Sequence, residues 1–78
     1  MLDQIAETAS RSAGVKIYPR QVERVLGALM LCREFWPAVT LSRLPVNAVA
    51  EIVKEMIACG LAAQKNGVLE LTEKGKEE

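Results

Sequence analysis

Apolar residues in the first part of the chain fall three and four positions apart. Leu2, Ile5, Ala6, Ala9 and Ala13 wind onto one face, with Asp3 and Glu7 close to the positive end of the dipole. The spacing predicts a helix over Leu2 to Ala13 that stops at Gly14. Val15-Lys16-Ile17-Tyr18 alternates apolar with polar or amphipathic side chains, which suits either a short strand or an extended connector. Pro19 has the backbone angle of a first helical residue. Beyond it Val22, Val25, Leu26, Leu29 and Met30 share one helical face, and Arg20, Glu23, Arg24 and Gly27 share the other.

The pattern breaks after Cys32 at Phe35-Trp36-Pro37. A shorter helix from Trp36 to Leu41 is expected there, with Pro37 in its first turn. Ser42-Arg43-Leu44-Pro45 reads as a turn, because Pro45 disfavours helical geometry at Leu44 and itself opens the next helix. From Val46 the apolar positions are Val49, Ile52, Val53, Met56 and Ile57, closing at Gly60. Met30 and Met56 are assigned to the core as flexible fillers. A short helix, a tight turn and a longer helix make the helix-turn-helix order. The period then changes: Leu61 to Gln64 and Val68 to Leu71 flank Lys65-Asn66-Gly67, and Asn-Gly is the dipeptide of two-residue hairpin turns. A hairpin after the second motif helix is a wing. The expected fold is therefore mainly α with a small β-hairpin wing, a winged helix-turn-helix formed as one domain over residues 1–78. Thr72 is placed to cap a further helix that has barely begun when the chain ends at Glu78.

Composition narrows what such a fold can do. The chain has 78 residues, ten basic and ten acidic, no histidine, and one each of Trp, Tyr and Phe. A domain of this length buries only about 60% of the surface its unfolded chain exposes, which leaves little room for a walled-off active site. Without histidine it lacks the side chain best suited to proton transfer near neutral pH and the commonest nitrogen ligand for zinc. No catalytic, cofactor-binding or metal-binding residue is assigned. No apolar run approaches the ~20 residues that span a bilayer, and the start lacks a signal-peptide pattern, so the chain reads as cytoplasmic with no membrane partner. Cys32 and Cys59 both sit in apolar helical patterns and read as small core-facing residues rather than as a bridge.

Two surfaces remain as candidates. A winged helix that reads DNA presents polar side chains from its second motif helix to the major groove and basic groups to phosphates. Here Arg43, Asn47, Lys54 and Lys65 are the DNA-contact candidates. The helix from Val46 to Gly60 faces outward with Asn47, Ala48, Glu51, Lys54, Glu55 and Ala58, and holds two glutamates against one lysine. Arg20, Arg24, Arg33 and Arg43 outnumber Glu23 and Glu34 before it, as a solvated face would. DNA is a possible partner that charge disfavours. Glu51 and Glu55, and the Glu77-Glu78 tail, read as solvated charge rather than as an acid-base pair. The other candidate is Phe35 with Trp36. Adjacent helical residues cannot both face one core, so one packs inward and the other lies at an edge suited to a second domain or subunit.

Gly14 to Leu26, then Phe35-Trp36, the turn at Leu44-Pro45, the helix end Ala58-Cys59-Gly60-Leu61 and the closing Leu71-Thr-Glu-Lys-Gly-Lys76 together resemble one family. It is the branched-chain polyamine synthases, the bis(aminopropyl)spermidine synthases of archaea and thermophilic bacteria, in their amino-terminal domain. The resemblance is strongest from Val15 to Lys76; Pro37 in the short helix departs from it. It implies a winged-helix front end of an aminopropyltransferase in polyamine biosynthesis, whose chemistry resides in a following Rossmann-like domain absent from this sequence. It further implies dimerisation or packing on that catalytic domain, with Met1 as a natural start and Glu78 as a cut end.

Overall fold

The structure, a computed structural model, describes residues 2–77; Met1 and Glu78, and with them the expected natural start and cut end, lie outside the described residues. Helices α1 (Leu2–Ala13), α2 (Pro19–Cys32), α3 (Phe35–Ser42) and α4 (Val46–Ala58) precede a hairpin of β1 (Ala62–Lys65) and β2 (Val68–Leu71), then a short α5 (Glu73–Glu77). The strands are antiparallel, with Lys65 opposite Val68 and Ala62 opposite Leu71. This is the winged helix-turn-helix order.

The apolar stripes meet in one core. Ile5, Ala6 and Ala9 of α1 join Val22, Val25 and Leu29 of α2, Ala38 of α3, Val49, Ile52 and Met56 of α4, and Leu61, Ala62 and Leu69 of the hairpin region. α1 packs chiefly on α4, and α2 chiefly on α3. Two side chains depart from expectation. Met30 is 61% exposed rather than in the core: it lies beyond the edge of the stripe, where Leu29 already fills the inward position. Ala48 is buried rather than outward, since it borders Val49 on the inner face and has no side chain long enough to leave it. Both cysteines are free, half-buried and packed at the core's margin rather than within it.

Residues Val15 to Tyr18 form the extended connector and not a strand. Their backbone is satisfied by a side chain instead of a sheet: the Ile17 N–H donates to Ser10 Oγ at 2.7 Å, and that hydroxyl lies 2.7 Å from the Ala6 carbonyl and 3.1 Å from the Ile17 carbonyl. This ties the connector to α1 and sinks Ile17 into the core. At the start of α2, Gln21 Oε1 accepts the Tyr18 N–H at 2.8 Å, the reciprocal half of a capping box.

The wing is joined to α4 by a Schellman motif. Gly60 is left-handed at φ +78, its N–H reaches the Ile57 carbonyl, and the Leu61 N–H reaches the Met56 carbonyl at 2.8 Å. The helix therefore ends at Ala58, two residues before the expected glycine, which serves as the residue that reverses the chain. Thr72 closes the hairpin's base by donating its N–H to Leu61 and its hydroxyl to the Gly60 carbonyl. At the tip, Asn66 and Gly67 have φ of 52 and 80, the two positive angles of a type I′ turn.

Two outcomes are expected in urea denaturation of the purified chain. Ser10→Ala, which leaves the Ile17 N–H without its partner, lowers stability by about 1–3 kcal/mol. Gly67→Ala, which forces a Cβ into left-handed geometry, lowers it by about 1 kcal/mol, while the nearby exposed change Gln64→Ala stays within about 0.5 kcal/mol.

Candidate functional site

The Phe35-Trp36 pair opens α3 and divides as its adjacency requires. Phe35 is half-buried against the core, whereas Trp36 is 67% exposed, its ring edge-on to Phe35 with centroids 5.3 Å apart. The contact lies along one edge of the indole and leaves most of the ring open to solvent. An exposed indole offers a large apolar contact area with a single polar N–H handle.

The DNA-contact candidates do not converge in the same way. Asn47 is used internally: its Nδ2 donates to the Ala13 carbonyl at 3.3 Å, docking the first turn of α4 onto the end of α1. Lys54 Nζ lies 3.5 Å from Glu51 Oε1, so the one cation of the helix already has a carboxylate beside it. Lys65 is exposed beside the wing tip, and Arg43 is exposed at the cap of α3. Glu51 and Glu55 are half-buried rather than fully solvated, lying along the flanks of α4 instead of its crest. Their charges nonetheless flank the surface that would meet a phosphate backbone. Among the described residues, no group of three or more Cys, Asp or Glu comes together as metal ligands, and no helix is long and apolar enough to cross a membrane.

Sequence reasoning missed a second apolar exposure. Leu31 is 81% exposed on α2 and Leu41 is 54% exposed on α3. The signal was present: Arg20, Arg24, Gly27 and Leu31 are spaced by four, three and four, so a leucine continues the face that arginines define. Gly27 in that row costs about 1 kcal/mol relative to alanine in a helix interior, yet nothing lies within 4 Å of where its Cβ would stand. Arg33 and Arg43 cap α2 and α3 in left-handed geometry, at φ 55 and 60. That conformation costs an L-residue about 1–2 kcal/mol, against about 0.3–1 kcal/mol returned by a cation at a helix C-terminus.

Comparison with known proteins gives one answer. No family model matches the chain. It is 34% identical over 76 residues to the N(4)-bis(aminopropyl)spermidine synthase of Methanocaldococcus jannaschii, covering 97% of this chain and 21% of that protein. It is 39% identical over 67 residues to the synthase of the same name from Thermus thermophilus, covering 86% of this chain and 20% of the relative. The solved branched-chain polyamine synthase of Thermus thermophilus, in complex with N4-aminopropylspermidine and 5′-methylthioadenosine, superposes with a TM-score of 0.81 at 40% identity, covering 90% of this chain and 20% of that one. The chain spans about a fifth of the length of the relatives it matches. It is homologous to the N-terminal region of the branched-chain polyamine synthases.

Proposed function

We propose that the chain is a non-catalytic winged-helix module of an aminopropyltransferase-type protein, packing through the Phe35-Trp36 edge against the catalytic part of that protein or against a second subunit. The observation that carries this reading is the match over 97% of the chain to a synthase of which it spans only 21%. The polyamine-making activity named for the relatives belongs in this reading to the larger whole, which transfers aminopropyl groups onto spermidine. The module's part is assembly. An exposed indole braced by a half-buried ring suits that role, since tryptophan is enriched among the residues that dominate interface energies.

Recognition of DNA is the rival, and the charges of α4 weigh against it. Between Val46 and Gly60 there are two glutamates and one lysine, and that lysine is beside Glu51. Of the candidates Arg43, Asn47, Lys54 and Lys65, Asn47 already spends one of its two amide N–H groups on the Ala13 carbonyl, which restricts how its side chain can turn toward a base.

Two measurements test the module reading. The Thermus thermophilus synthase shortened by the region this chain matches is expected to bind the chain, with Trp36→Ala weakening association at least about tenfold and leaving the thermal midpoint unchanged. In parallel, a labelled duplex titrated at low and high salt is expected to show no submicromolar binding. Submicromolar binding with a log-log salt slope of about −3.6, as about four phosphate contacts would give, abolished by Lys54→Glu, overturns the module reading in favour of a regulator.

A further inference from the structure

One outward face gathers three features that nothing inside the chain explains. Arg24, Ala28, Leu31, Leu41 and Arg43 line an open groove between α2 and α3. Its apolar part is the two exposed leucines with Ala28 between the helices, and its rim is basic. Among the described residues, Arg24 and Arg43 form no ion pair; the ion pairs lie elsewhere, at Arg11 with Glu7 and Lys54 with Glu51. Gly27 stands on the same side of α2 as Arg24 and Leu31, with open space where its Cβ would be. A glycine there weakens the helix and lets another backbone come close.

We propose that this groove docks an amphipathic helix of a protein partner, with leucine-sized side chains along one ridge and carboxylates flanking it. The ridge covers Leu31 and Leu41, the partner's backbone approaches α2 at Gly27, and its carboxylates meet the guanidinium groups of Arg24 and Arg43. Arginine is suited to this because its planar fork takes both oxygens of a carboxylate. The inference rests on reading the chain as a protein-contact module, but uses a different face from the Phe35-Trp36 edge. Charge and apolarity together select this occupant. A nucleic-acid duplex satisfies the arginines and offers nothing to cover the leucines. A second copy seated in the same groove about a two-fold axis brings its own arginine rim against this one, which like-charge repulsion opposes.

The test titrates the 78-residue chain with two synthetic helical peptides that share a leucine ridge, one flanked by glutamates and the other by lysines. The acidic peptide is expected to bind in the micromolar range, more weakly at high salt, and the basic one not to bind. Leu31→Asp, and Arg24→Glu combined with Arg43→Glu, each weaken the acidic peptide at least about tenfold. Gly27→Leu weakens it as well, while Gly27→Ala raises the thermal midpoint of the unbound chain, which separates a docking role from a folding role. Equal binding of both peptides, or affinity indifferent to these substitutions, overturns the proposal. So does displacement of the acidic peptide by a labelled duplex, or self-association of the chain that Leu31→Asp abolishes. If the peptide arms fail while Trp36→Ala still weakens association with the shortened synthase, the groove proposal falls and the module reading stands.

Discussion

The burial of the apolar stripe of α4 against that of its neighbours is the interaction that closes the core. Val49, Ile52 and Met56 of that stripe are fully buried, and α1, α2, α3 and β1 all pack against the helix. Cutting Ile52 or Met56 back to alanine removes about 2–5 kcal/mol. A chain of this size draws only about 3–5 kcal/mol from its core, so one such truncation consumes most of the margin that holds the fold. The inner face of α4 is committed to cohesion, and the Asn47 hydrogen bond to the Ala13 carbonyl ties the first turn of the helix to the end of α1.

That commitment shifts attention to the surfaces α4 does not control. The α2–α3 unit carries the exposed tryptophan, both outward leucines and two left-handed arginine caps. Each costs the isolated chain either helix stability or apolar surface left in water. In the proposed module role such costs are recovered by burial against a larger whole, the relatives being roughly five times longer than this chain.

The elements legible in the sequence are those specified locally. Three- and four-residue spacing sets the long helices, Pro19 and Pro45 mark where two of them begin, and Asn66-Gly67 sets the hairpin turn because few other dipeptides accept both positive angles. What was not legible depends on a neighbour. Met30 and Leu29 are both large and apolar, and how far the covered stripe extends around α2, which leaves Leu29 inside and Met30 outside, is fixed by the elements packed on it. Val15 to Tyr18 alternates as a strand would, but Ser10, seven residues from Ile17, supplies the hydrogen bonds that a sheet partner would otherwise give. The hydrogen bond from Asn47 to the Ala13 carbonyl joins residues thirty-four positions apart, a pairing that no local pattern announces. The groove escaped for the same reason, since its second wall belongs to another helix.

A two-stranded sheet has two edges, and each is a row of peptide groups that another chain can copy. On β2 one of those groups is already taken: the Leu69 N–H donates to the Arg33 carbonyl at 2.8 Å, where the chain leaves α2 in left-handed geometry. A single peptide thus stands where a third strand would lie. It interrupts the row before an intruding strand can settle into register, so the β2 edge of the wing is guarded against edge-to-edge pairing by the way a helix ends.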